Sequence, residues 1–133
     1  MAIFKNQVSL NKSVAEVYQF LSSLNNHEQL MPSNVQHWSS TTDEARFTIQ
    51  NMAKLSLKVD QRKENEKIVI IPAEKAPFDV KLTWKIEKDS DNTSIVHLVI
   101  DADLNMMMKM LASGPLQKLV DEQVSKLKEV LVA

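Results

Sequence analysis

The sequence predicts an α+β domain in which a long helix covers one face of an antiparallel sheet. Three observations carry that expectation. From about residue 35 to about residue 103, apolar side chains recur with a period of two. The closing stretch, from residue 105 to about 132, carries them at helical spacing instead. The two clearest strand segments are apolar on one side only, the mark of a sheet that packs on one face and meets water on the other.

The first strand follows from Phe4, Val8 and Leu10 at alternate positions, with Asn6 the one polar residue on the apolar side. Ser13-Val14-Ala15-Glu16 has the spacing of a capping box and opens a short helix with the apolar stripe Val14, Val17, Tyr18, Leu21 and Leu24. A second short helical segment over 27–31 ends at Pro32, which disfavours helix in the residue before it.

Six strands are expected next, over 35–40, 44–50, 53–61, 67–71, 79–87 and 93–102. The polar clusters 40–43, 63–66 and 89–92 form the turns, with Asp and Asn in the place of glycine because both tolerate left-handed backbone. Leu55, Leu57 and Val59 share one face, as do Val80, Leu82, Trp84 and Ile86. The covering helix presents Leu116, Leu119, Val120, Val124, Leu127 and Leu131, with most of its charges opposite.

Composition excludes several classes of chemistry. The 133 residues include no cysteine and one glycine, Gly114. Disulfides, thiolate nucleophiles, iron–sulfur clusters and cysteine zinc sites are therefore ruled out. Phosphate-cradling loops need several glycines so that backbone N–H groups can approach the anion, and one is too few. The 16 basic and 17 acidic residues are interspersed, so no nucleic-acid partner is expected. No window approaches the ~20 apolar residues of a membrane span, so no stable membrane insertion is expected. The start Met-Ala-Ile-Phe-Lys-Asn lacks the basic and apolar regions of a signal peptide, which reads as cytoplasmic. A chain of this size forms one domain over residues 1–133, burying roughly 65–70% of its unfolded surface.

Three local segments carry a resemblance: Val17-Tyr18-Gln19-Phe20-Leu21-Ser22 in the first helix, Leu30-Met31-Pro32 closing the second, and Asp101-Ala102-Asp103-Leu104-Asn105 leading into the last. With the order of elements, they make the chain similar to the START-like, helix-grip (SRPBCC) superfamily over nearly its whole length. The resemblance implies a curved sheet of about six to seven strands gripping the C-terminal helix. It also implies an apolar cavity between them, which in relatives takes lipids, sterols, polyketides or plant metabolites. Some relatives are cyclases. Val14 departs from the proline that often opens the first helix, and the shorter chain argues against a sterol-sized cavity.

Candidate acid–base groups are few. His97 falls on the outward side of its strand with Ile95, Val99 and Asp101, and His27 is expected to cap its short helix or lie on the surface. His37 lies between two weak alternations, which leaves both the surface and a cavity mouth open to it. No His-Glu-x-x-His spacing exists and no cofactor or metal is expected. Asp101 and Asp103 point the same way, outward, with Asp103 or Asn105 placed to cap the helix start.

Met106, Met107, Met108 and Met110 crowd little more than one helical turn, so they cannot all face one core. Methionine adapts to irregular shapes, and the turn serves equally as core filler or as a ligand wall. Running the C-terminal stripe straight back would centre Lys109 on the apolar face, which is costly without a partner. Pro115 removes a backbone donor and Gly114 weakens the helix, so a kink or break there is expected to turn Met107, Met110 or Leu111 inward. The expected ligand-binding residues are Phe20, Met31, Phe47, Leu57, Leu82, Trp84, Met107, Met110 and Leu111. Trp84 stands out because its indole N–H needs a partner and can orient a polar ligand head.

The leading reading is a non-catalytic binder of a small apolar or amphipathic, lipid-like molecule held between sheet and helix. A cyclase or dehydratase-type enzyme on the same fold is the alternative, with His37 and Lys109 as its candidate polar groups. An interaction module using exposed methionines is the third.

Overall fold

The computed structural model describes residues 2–50 and 52–132. Strand β1 (Ala2–Leu10) leads into helix α1 (Val14–Ser22) and a 3-10 segment (Leu24–Leu30). Strands β2 (Val35–Ser40), β3 (Glu44–Ile49), β4 (Ala53–Lys63), β5 (Lys67–Pro72), β6 (Asp79–Ser90) and β7 (Thr93–Asp103) follow, and helix α2 (Met106–Val132) closes the chain. All strand pairs are antiparallel in the order β1-β7-β6-β5-β4-β3-β2. The sheet curls as a half-barrel around α2, as the resemblance implies.

The period of two is what builds the concave face. Val80, Leu82, Trp84 and Ile86 of β6 are buried beside Val96, Leu98, Ile100 and Ala102 of β7. Trp84 pairs with Leu98 and Leu82 with Ile100 in register, so same-face neighbours stack into one apolar surface. Ala45, Phe47 and Ile49 of β3 and Leu55 and Leu57 of β4 continue it. A register shift between Val59 and Gln61 ends the inward face of β4, and the strand runs on exposed to Lys63.

Asn6, the polar residue on the apolar side of β1, has a partner on the covering helix. Its Nδ2 donates to Asp121 Oδ1 at 3.0 Å, an oxygen that also accepts from Gln117 Nε2 at 2.8 Å. Ser13 caps α1, its Oγ accepting from the Glu16 N–H at 3.3 Å. Arg62 binds the sheet to the helices by donating to the carbonyls of Ser22 and Thr42 and pairing with Asp43 at 2.7 Å.

One expectation about α2 is corrected: its Met-rich start does not turn Met107, Met110 or Leu111 inward. The helix runs through Ser113, Gly114 and Pro115 without a break. Pro115 has no N–H for the Leu111 carbonyl, but Leu111 is exposed and water can serve as the donor. The inward stripe passes back from Leu116 through Ala112 to the half-buried Met108 in steps of four. That phase turns Met107, Met110 and Leu111 into solvent, with exposures of 72, 82 and 59%, and leaves Lys109 exposed as well. Asn105, rather than Asp103, caps the helix: its Oδ1 accepts from the Met108 N–H at 2.8 Å.

Candidate functional site

A cavity of about 20 Å³ lies inside the grip, between the concave sheet face and α2. Its walls come from every layer: Phe47, Leu57 and Leu82 from the sheet, Leu119 from α2, Met31 from the end of the 3-10 segment and Trp38 from β2. Trp38 stacks on Phe47 with ring centroids 5.3 Å apart and 19° between planes. Space of this size holds about one water-sized group.

Three polar side chains reach this apolar space: His27, Trp84 and Gln123. All are buried, at 2, 0 and 1% exposure. His27 Nε2 donates to the Leu21 carbonyl at 2.8 Å, which leaves Nδ1 as the ring's lone-pair nitrogen. Its ring meets Trp84 edge-on, with centroids 6.0 Å apart and planes at 86°. Burial drives its pKa down from 6.5 to about 4, against the raising effect of the Leu21 carbonyl, so the imidazole is neutral near pH 7. Trp84 Nε1 and Gln123 Nε2 find no hydrogen-bond acceptor among the described residues. A buried donor left unpaired costs about 1–3 kcal/mol, and both of these belong to side chains that line the same small space.

Polar contacts tie together the elements around this space. Lys126 Nζ donates to the Met31 carbonyl at 2.5 Å, joining α2 to the end of the 3-10 segment. Trp38 Nε1 donates to Ser40 Oγ at 3.0 Å, and Ser40 Oγ donates to Asn25 Oδ1 at 2.7 Å, which ties β2 to the same 3-10 segment.

Of the nine residues expected from the sequence, Met31, Phe47, Leu57, Leu82 and Trp84 line the cavity together. Phe20 is half-buried against the core and does not line it. Met107, Met110 and Leu111 point away from it, for the reason of helix phase given above. His27 and Gln123 were missed. His27 was expected to cap its helix or lie at the surface, but the segment is a 3-10 helix that starts at Leu24. Its three residues per turn put Leu24, His27 and Leu30 on one buried side. That spacing of three is the signal in the sequence. Gln123 is marked by its place between Val120 and Val124 within an apolar stripe.

The other candidates lie elsewhere. His37 is exposed in left-handed backbone, φ 58°, at the register shift in β2. It borders an open groove of about 660 Å³ with Arg46, Lys54 and Lys75, outside the grip. His97 sits on the outward face with its Nε2 3.2 Å from Glu87 Oε1. Asp103 is exposed and Asp101 half-buried on that same face. Among the described residues no three His, Cys, Asp or Glu side chains group to hold a metal ion, and no helix is long and apolar enough to cross a membrane.

No protein-family model and no curated protein sequence matches this chain. Solved structures do match it in fold. A START superfamily protein from Mycobacterium smegmatis shares 13% identity at a TM-score of 0.69, covering 96% of this chain and 98% of that one. Norcoclaurine synthase from Thalictrum flavum, a point mutant in complex with a transition-state analogue, shares 7% at 0.75, covering 98% and 94%. The di-domain ARO/CYC BexL from the BE-7585A biosynthetic pathway shares 15% at 0.72, covering 97% of this chain and 46% of that one. The chain therefore has the START-like, helix-grip fold.

Proposed function

We propose that this protein binds one small, mainly apolar molecule in the grip, with a single hydrogen-bond-accepting oxygen of that molecule placed between Trp84 and Gln123. The observation that carries this reading is the pair of buried N–H donors, Trp84 Nε1 and Gln123 Nε2, which find no acceptor among the described residues and belong to two side chains lining the same apolar cavity. An acceptor oxygen there satisfies both donors. A carbonyl, ether or carboxyl oxygen on an apolar body has the required chemistry.

The cavity holds about 20 Å³, so a ligand larger than a water needs the cap to move. Met31 is the adaptable part of that cap, and its tether to Lys126 is one hydrogen bond to a backbone carbonyl. Binding in this scheme exchanges the closed cap for ligand contacts and is paid for by the two donors and the apolar walls.

The binder reading is favoured over the enzyme by the state of His27. With its pKa pushed down to about 4, the neutral ring has no proton to deliver near pH 7 beyond the Nε2–H already given to Leu21, and Nδ1 is a weak base. His37 and Lys109, the groups an enzyme was expected to use, are exposed and do not line the cavity.

The test is a titration of the ¹⁵N-labelled protein with decanoic acid and, separately, with decane. Decanoic acid is expected to shift the Trp84 indole N–H resonance downfield and saturate, while decane leaves that resonance near its starting position. If neither probe moves the Trp84 signal and native mass spectrometry finds the protein without any adduct, the reading fails.

A further inference from the structure

The cavity in the grip is walled without charge. Among the described residues that line it there is no Asp, Glu, Lys or Arg, and His27 is the one side chain that titrates near neutral pH. The sheet contributes apolar side chains and the two indoles, and Glu28 of the 3-10 segment is exposed. The charged groups of α2 on this side have partners of their own. Lys126 holds the Met31 carbonyl, Asp121 accepts from Asn6 and Gln117, and Glu122 lies 4.0 Å from Lys118. An ionised head group brought into this space would lose its water and meet no counterion, which is costly for either sign of charge.

The three buried polar side chains narrow the choice further. An indole N–H only donates, so Trp84 requires a lone pair from the head group, and Gln123 Nε2 requires another. An ammonium has none to give. His27 works in the other direction: its Nε2–H is given to the Leu21 carbonyl, so Nδ1 only accepts. Burial keeps the ring neutral near pH 7 and so preserves that lone pair. A carboxylate has no proton to offer it. The ring lies edge-on to Trp84 with centroids 6.0 Å apart, and the space that His27, Trp84 and Gln123 line together holds about one water-sized group. One small group carrying both lone pairs and a proton matches all three side chains.

Resting on the binder reading above, we infer that the grip selects an uncharged head group that both accepts and donates hydrogen bonds. A hydroxyl is the simplest such group, and an unionised carboxyl shares its chemistry. The oxygen accepts from Trp84 and Gln123, and its O–H donates to His27 Nδ1. Ethers and ketones match the two donors alone, and an alkane matches none of the three. A fatty acid enters as the acid and not as the anion.

The experiment compares decan-1-ol, decanoic acid, decylamine and decane, followed at the Trp84 indole N–H and the His27 ring in the ¹⁵N-labelled protein. At pH 7.5 decan-1-ol is expected to bind at least tenfold more tightly than decanoic acid, and decylamine to leave the Trp84 resonance in place. The carboxyl of decanoic acid titrates near the value of a Glu side chain, about 4.3, so binding as the acid takes up one proton per molecule. Its apparent Kd is expected to rise about tenfold per pH unit between about pH 6 and about pH 8, while that of decan-1-ol stays constant. The His27 signals are expected to remain those of the neutral imidazole throughout. Decanoic acid or decylamine that binds at pH 7.5 as tightly as decan-1-ol, or a decanoic acid Kd that does not change with pH, overturns the inference and leaves the binder reading standing. So does a His27 ring that becomes imidazolium when decanoic acid binds, because the cavity then supplies its own counterion. Decan-1-ol bound no more tightly than decane overturns it too. If none of the probes moves the Trp84 signal, the binder reading falls and this inference with it.

Discussion

Acidification tests the buried histidine directly. His27 titrates at about 4 in the folded protein because burial removes the water that would solvate its cation. In the unfolded chain it titrates near 6.5. Between those values the unfolded state binds the proton and the folded state does not, so lowering the pH favours unfolding. The stability contributed by keeping His27 neutral is fully present above about pH 6.5 and is lost as the pH falls toward about 4. The drop from 6.5 to about 4, at 1.36 kcal/mol per pK unit, corresponds to about 3 kcal/mol. That is a large share of the 5–15 kcal/mol typical of a domain.

Carboxylates titrate in the lower part of the same range, so the comparison is with His27→Gln, which keeps an N–H for the Leu21 carbonyl and has no titration. Urea unfolding of both proteins at pH 7.5, 6, 5 and 4 gives the difference in stability at each pH. The wild type is expected to lose about 3 kcal/mol relative to His27→Gln between pH 7.5 and 4. A difference that stays flat, or a His27 resonance that titrates near 6.5 in the folded protein, refutes the claim that this ring is held dry.

Four further outcomes follow from the same structure. Replacing Gln123 by Leu removes an unpaired buried donor while keeping volume, and is expected to leave stability within about 1 kcal/mol of wild type or raise it, by urea unfolding. Leu116→Ala, by contrast, empties a fully buried position on the inward stripe and is expected to cost about 2–5 kcal/mol in the same assay. Gly114→Ala adds a methyl group into open space at an ordinary helical φ and is expected to raise stability by up to about 1 kcal/mol in dilute solution. Asn105→Ala removes the side-chain cap of α2 and is expected to cost about 1 kcal/mol, seen as a lower unfolding midpoint.

Periodicity and turn chemistry made most of the architecture legible. The strand over 35–40 has the bounds its sequence predicts, and β3 to β7 start where expected and differ only at their C-terminal ends, by one to three residues. The cavity wall was half legible. Met31, Phe47, Leu57, Leu82 and Trp84 sit on inward faces that alternation or a helix stop already marks. His27 was obscured because a 3-10 segment has a period of three, and the sequence there also reads as a short helix beginning at His27.

What the sequence by itself determined is what depends on neighbours along the chain: the strand faces, the capping box at Ser13, the Asn105 cap region, and the absence of thiol and phosphate-loop chemistry. What only the tertiary structure decided depends on contacts between distant segments. The direction of the methionine turn is one such case, since it hangs on how α2 carries its phase through Pro115 while seated on β1 and β7. The pairing of Lys126 with Met31, 95 positions apart, is another. The convergence of His27, Trp84 and Gln123 is the third, and it comes from three elements whose separation in sequence carries no record of their meeting. Local pattern says which side of an element is apolar; only packing says which apolar sides close on one another and which polar groups they trap.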